Sequence, residues 1–149
     1  MSIKKQLYQQ LQEQVDQRVS NAQKAMKAAE DSKNNETKSS AGDKFETSRA
    51  MMQGEEERNK IQLVKAVDLQ RQLAQIDITK TSKIVVLGSI VYSNQGNYFL
   101  SIGLGKIVLE DTTYFAISLA SPIGQLLFGK SEKDVVNFRG KRIEIQRLE

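Results

Sequence analysis

Cysteine, histidine and tryptophan are absent from this 149-residue chain, and proline occurs once, at Pro122. Without a thiol or an imidazole there is no disulfide framework, no zinc finger and no Cys-His or Ser-His-Asp catalytic array. Any metal must sit on carboxylates, which select hard cations such as Mg²⁺, and an incomplete set would draw its remaining ligands from a partner. No apolar run approaches the ~18 residues of a membrane span, and Met1 to Gln10 carries two lysines but no apolar core of a signal peptide. No membrane association and a cytoplasmic location are therefore expected. The net charge of +4 divides evenly, +2 in residues 1–80 and +2 in 81–149, which is too mild and too even for a dedicated duplex-DNA binder.

What is scarce is also unevenly placed. Of nine glycines only Gly42 and Gly54 precede residue 80, and seven of the nine aromatic residues lie beyond residue 90. The first half reads as surface-rich helix and the second as a compact β-containing core. From Ser2 to about Asp31 there is no helix breaker, and Gln, Lys, Ala, Glu and Leu dominate. Tyr8, Leu11, Val15, Ala22, Ala25 and Ala29 recur at intervals of three and four, with Arg18 interrupting, a stripe suited to a helix-helix seam. The side chains shrink toward Ala29, so two helices paired on this seam would approach closely at the far end.

Residues 31–41 are polar turn formers without periodicity and predict the bend. A second helix is expected over roughly Gly42 to Ile76, with Phe45, Met51, Met52, Leu63, Ala66, Leu69, Leu73 and Ile76 as its apolar stripe. Two helices of about 30 residues make an antiparallel hairpin some ~45 Å long. Such a stalk serves either to dimerise or to reach.

At the start of the second helix, Asp43 and Glu46 are three apart and would project from one face of the hairpin end. Ser40 with Asp43 also fits a capping box, and acids in a first turn suit the helix dipole. The neighbouring cations Lys24, Lys27, Lys44 and Arg49 read either as a solvated mixed-charge surface or as phosphate contacts near an RNA end. No aromatic ladder accompanies them, which argues against an autonomous single-strand platform.

After a linker at Asp77 to Ser82, short β-rich runs follow: Ile84 to Tyr92, Tyr98 to Ile102, Lys106 to Leu109, Tyr114 to Leu119, Val135 to Phe138 and Arg142 to Leu148. Ser121 to Gly129 has the form of a short capped helix, with Pro at its first position and Gly at its end. The chain is expected to be α+β. Residues 1–77 form a coiled-coil hairpin with its tip near 31–46, and residues 78–149 form a small, mostly antiparallel sheet carrying one helix.

Ala120 to Val136, ASPIGQLLFGKSEKDVV, resembles the Ser-Pro-(Ile/Leu)-Ala-x-x-Leu-x-Gly-Lys-x-x-Gly-Asp-x-Val signature of bacterial Gre transcript-cleavage factors, GreA and GreB. Val86 to Val91 is similar to the first strand of the FKBP-like domain of that family, and Gly42-Asp43-Lys44-Phe45-Glu46 falls where the family has Gly-Asp-Leu-x-Glu at its hairpin tip. The resemblance implies an FKBP-like domain that docks on RNA polymerase through Ser121, Pro122 and Ile123, and a hairpin that reaches down the secondary channel. It further implies that Asp43 and Glu46 help hold the second Mg²⁺ of the polymerase active site during cleavage of backtracked RNA, so that the nascent 3′ end is met only indirectly. The chain would bind no cofactor alone, take no small-molecule substrate, act as a monomer, and be a catalytic cofactor rather than an enzyme.

Departures accompany the match. Thr47-Ser48-Arg49-Ala50 stands where the family has Asn-Ala-Glu-Tyr, Ala120 replaces an Asp or Asn, and Lys133 replaces a Gly. They leave docking more intact than cleavage, so the second reading is a Gre-like regulator or inhibitor that occupies the channel. A self-associating coiled-coil scaffold is the third. A prolyl isomerase would need an aromatic-walled pocket, for which the sequence shows no evident residues.

Overall fold

The structure is a computed structural model, and it describes the backbone of residues 2–36 and 42–149 and the side chains of residues 2–32 and 50–149. Two long helices, α1 (Ile3–Glu36) and α2 (Gly42–Ala74), precede six strands and one short helix. The strands are β1 (Ile90–Ser93), β2 (Gly96–Leu100), β3 (Gly105–Leu109), β4 (Thr112–Ile117), β5 (Val135–Phe138) and β6 (Lys141–Leu148), and the helix α3 (Pro122–Leu127) lies between β4 and β5. The fold is α+β, as the sequence implies. By packing, the chain forms two compact units, one of Glu13–Gln70 and one of Met1–Gln12 with Arg71–Glu149.

In the helical unit α1 and α2 run antiparallel: Gln70 Nε2 donates to Asp16 Oδ1 at 3.0 Å, and Asn59 Nδ2 donates to the Ala25 carbonyl at 3.4 Å. The seam is thin. Val15, Ala22 and Ala29, seven apart, are buried on α1 and Ala66 is buried on α2. Arg18 remains exposed. α1 continues through residues 31–36, where the sequence suggests the bend begins, because Ser and Asn cost a continuing helix only about half a kcal/mol each. Met51, expected in the seam, is 70% exposed. It falls one position from Met52, which is half-buried, and a helix turns ~100° per residue.

The second unit is built on a sheet of order β3-β4-β2-β1-β6-β5. All its pairings are antiparallel except β2 with β4. The sheet is mostly antiparallel, as expected, and its one parallel pair follows from the chain path. β3 reverses direction after β2 and lies outside β4, so the β3-β4 hairpin returns β4 in the direction of β2. The first expected strand, Ile84 to Tyr92, is also shorter. A turn at Val86–Ser89 interrupts it, with Gly88 at φ 95° and its N–H donating to the Leu100 carbonyl at 2.7 Å.

Both faces of this sheet are used. On one, Val91, Leu100, Val136, Ile143 and Ile145 join Val85 and Leu127 in a buried cluster. On the other, strand alternation places Ile90, Phe99, Tyr114, Ala116 and Ile107, all buried. The first turns of α1 belong to this unit and supply buried Leu7 and Leu11, while Gln10 Nε2 donates to the Val108 carbonyl at 3.3 Å. Just beyond α2, Ile76 is buried, and a Cβ on Gly88 would meet its Cγ2 at 3.4 Å.

Tyr92 donates its hydroxyl to Glu149 Oε2 at 2.7 Å, its ring meets Tyr114 edge-on at 6.2 Å, and the Arg147 guanidinium lies 4.1 Å above its centroid. Burial, reinforced by Glu149, pushes this hydroxyl well above the ordinary tyrosine range. Above pH 10 the unfolded chain therefore loses a proton that the folded chain keeps, and folding stability falls as pH rises. Lys4, only 6% exposed, is shifted down by the same desolvation and acts in the opposite sense below its ordinary value. Comparing Tyr92→Phe with the parent chain cancels that contribution. The variant is expected to be about 1 kcal/mol less stable at pH 8, where it lacks the hydrogen bond, with a flatter decline between pH 10 and 12 in urea titrations. Parallel curves would exclude the role assigned to Tyr92.

Candidate docking surface

The Ser-Pro segment forms its short helix by local chemistry. Ser121 is in extended conformation at the N-cap, its Oγ accepting from the Gly124 N–H at 3.0 Å and donating to the Ser118 carbonyl at 2.7 Å. Pro122 takes the first helical position, where a missing N–H costs nothing. The Phe128 N–H closes on the Gly124 carbonyl at 3.0 Å, and Gly129 ends the element at φ 80°. Gly124 is buried so tightly that a Cβ would lie 2.1 Å from the Ser118 carbonyl oxygen.

The three expected docking residues therefore have different parts. Ser121 spends its hydroxyl on the cap, Ile123 is half-buried against the core cluster, and Pro122 alone is exposed. Sequence reading missed two apolar neighbours that share the surface, Leu126 at 37% and Phe128 at 53% exposure. A signal for them existed: Leu126, Leu127 and Phe128 are consecutive, and one helix face cannot bury all three. Leu127 is the buried one.

Lys133 sits at φ 76°, a left-handed conformation that costs a side chain about 1 kcal/mol. Its N–H donates to the Ile145 carbonyl at 2.7 Å, and Asp134 Oδ2 accepts from the Ser131 N–H at 2.8 Å, two bonds that hold the loop.

Beside the segment lies a cleft of about 580 Å³ walled by Tyr98, Phe115, Ile123 and Phe138, with Arg139 and Lys141 at its rim. Aromatic walls of this kind were not expected from the sequence, since the three rings come from β2, β4 and β5. Burial pushes the Tyr98 hydroxyl upward, which keeps it neutral.

At the other candidate site, Asp43 and Glu46 belong to the first turns of α2 by backbone, but their side chains, with those of Lys44 and Arg49, lie outside the described residues. So does the part of the expected bend that falls at residues 37–41. Lys24 and Lys27 are exposed on α1. Among the described residues no three acidic groups come together as a metal site, and no helix is long and apolar enough to cross a membrane.

No family model and no curated protein matches the chain. Among solved structures, one described as the structure of the transcription factor Gfh1 aligns with 95% of this chain and 92% of its own, at 18% identity and a TM-score of 0.35.

Proposed function

We propose that this chain is a transcription elongation factor of the Gre type, which docks its β domain at the rim of the RNA polymerase secondary channel and reaches inward with its helical hairpin. The carrying observation is the Ser-Pro segment: a capped helix with exposed Pro122, Leu126 and Phe128, on the domain that follows a pair of antiparallel helices of 34 and 33 residues. A seam this thin adds little stability for its length, which supports a hairpin made for reach.

In this reading Asp43 and Glu46 act at the hairpin end. Two carboxylates three residues apart are a donor set for a hard cation, incomplete alone and sufficient to add to ligands that polymerase and RNA already supply. Mg²⁺ held there supplies charge neutralisation and an activated water for phosphodiester hydrolysis. The chain's own part is to place and orient the two carboxylates, and in this reading Lys24, Lys27, Lys44 and Arg49 serve as phosphate contacts for the RNA end. Partner and activity both belong to polymerase, and this chain is its cofactor.

The test is cleavage of 3′-labelled RNA in a stalled, backtracked complex of the cognate polymerase with Mg²⁺, with and without the protein. Acceleration is expected. Arg49, a base where the family carries an acid, favours the second reading, a regulator that fills the channel; binding without acceleration would select it. Absence of binding, with a stable dimer at low micromolar concentration, would return the coiled-coil scaffold. Pro122→Ala is expected to weaken polymerase affinity several-fold while leaving thermal stability nearly unchanged, since its ring is exposed. Unchanged affinity in a fluorescence titration would remove Pro122 from the docking surface.

A further inference from the structure

Helix α2 has an outer face that the polymerase reading does not use. Ile61, Val64 and Val67 are 53%, 62% and 44% exposed, and their spacing of three puts them on the side away from buried Ala66. Among the described residues α1 exposes no large apolar side chain. Single exposed apolar residues are ordinary, but a row of β-branched ones on a solvent-facing helix is not, because they form helix less well than the Gln, Lys and Glu around them. Helix stability gives no reason for this choice.

The charges around the row do. α2 runs unbroken through Ala74, so its helical period sets Glu57, Lys60, Asp68 and Arg71 on the same face as the three apolar residues. Counted outward from Val64, that face reads Ile61, Lys60 and Glu57 in one direction and Val67, Asp68 and Arg71 in the other. Each charge is answered at the same distance by its opposite: Lys60 and Asp68 stand four residues from Val64, and Glu57 and Arg71 seven. Asp68 and Arg71 also have interactions within their own chain, so a partner would add to these rather than supply the first. Such an order is complementary to its own reverse. A second copy turned antiparallel sets Val64 on Val64, Ile61 on Val67, Lys60 on Asp68 and Glu57 on Arg71. A parallel copy in register would instead set Lys60 on Lys60 and Asp68 on Asp68, like charge against like.

We infer that the outer face of α2 binds a second copy of this chain, antiparallel and centred on Val64. Ile61, Val64 and Val67 of both copies form the apolar row, closed by Lys60–Asp68 and Glu57–Arg71 pairs that the two-fold axis repeats on either side. From Glu57 to Arg71 the row is about 21 Å long at 1.5 Å per residue, and a strip of that length on one helix face covers well under the ~800 Å² per partner of a stable complex. The pair is therefore weak and reversible, with a dissociation constant on the order of 100 µM. It differs from the coiled-coil scaffold, because the seam of Val15, Ala22 and Ala29 stays inside each chain. Nucleic acid suits this face less well, since two acids and two bases leave it without net charge. The inference does not rest on the polymerase reading and is tested without that enzyme.

The experiment is sedimentation equilibrium of the full-length chain at low ionic strength, from about 5 to about 500 µM. A monomer–dimer equilibrium is expected, weakening as salt is added. Val64→Asp brings two carboxylates together at the axis and should abolish pairing, with helical dichroism unchanged because Val64 is exposed. Lys60→Glu and Asp68→Lys each turn attractive pairs repulsive on both sides of the axis and should weaken self-association at least about tenfold. Mixed in equal amounts, these two variants should pair with each other at close to the parent affinity, since each supplies the charge that the other has reversed. Lys60 is exposed, so its variant carries the test even where Asp68→Lys disturbs the hairpin. A monomer up to about 500 µM, pairing untouched by Val64→Asp or by Lys60→Glu, or two fully helical single variants that fail to pair when mixed would each overturn the inference.

Discussion

Gly124→Ala is expected to destabilise the β domain by about 3 kcal/mol, since among the described glycines it is the one whose added Cβ would meet backbone most closely. The added Cβ would stand 2.1 Å from the Ser118 carbonyl oxygen and 2.8 Å from Ser121 Oγ, distances that no side-chain rotation relieves because the first contact is backbone. Either α3 moves away from the end of β4 or the Ser121 cap opens, and a lost cap alone costs about 1 kcal/mol. Leu127, fully buried from the same helix, would be displaced with it. Guanidinium unfolding followed by near-ultraviolet dichroism of Tyr92, Tyr98 and Tyr114 reads this domain rather than the helices. Gly103→Ala is the control, since a Cβ there meets nothing within 4 Å and should be nearly neutral. Equal stability of the two variants would show that the close approach at Gly124 is not a constraint. On the proposed function, polymerase affinity should fall in Gly124→Ala as well, because Pro122, Leu126 and Phe128 are presented by the helix that this glycine seats.

On the proposed function, Asp43→Ala and Glu46→Ala should each reduce stimulated RNA cleavage at least about 100-fold, because even an indirect metal-site partner is worth 10 to 100-fold. Polymerase binding should be kept, since docking is assigned to the other unit. Asp43→Asn and Glu46→Gln refine the test. They preserve size and hydrogen bonding but remove the charge, so a cation-holding role loses activity with them, whereas a helix-capping role at Asp43 survives in the Asn variant. Full cleavage by all four variants would dismiss the two-carboxylate mechanism and leave the channel-filling reading in place.

Much of this architecture is legible in local sequence. Val15, Ala22 and Ala29 announce the seam of α1 and are buried there, whereas Leu11 of the same stripe is buried in the β unit and Tyr8 and Ala25 are half-buried. Ser121 and Pro122 announce the start of α3, and Gly129 its end, because capping involves only residues within a turn of one another. Val135–Phe138 is recovered as β5 with the expected ends. The errors also have a common origin. Met51 and Met52 are adjacent and equally apolar, so only the partner helix decides which one turns inward. Val86 and Leu87 are strand formers, yet the turn closed by the hydrogen bond from Gly88 to Leu100 delays the first strand to Ile90, and Leu100 is twelve residues away.

The candidate sites divide in the same way. Asp43, Glu46 and the Ser-Pro segment are adjacent in the chain and can be read from it. The cleft cannot, since Tyr98, Phe115 and Phe138 stand well apart in sequence and meet through strand order. By itself, the sequence determined the helix and strand types, the capped segment and the chemistry excluded by having no Cys or His, because each depends on side-chain identity and short-range spacing. Only the tertiary structure decided that β2 and β4 run parallel, that the aromatic cleft exists, and that Arg139 overhangs it. Those follow from long-range pairing, which no local period encodes.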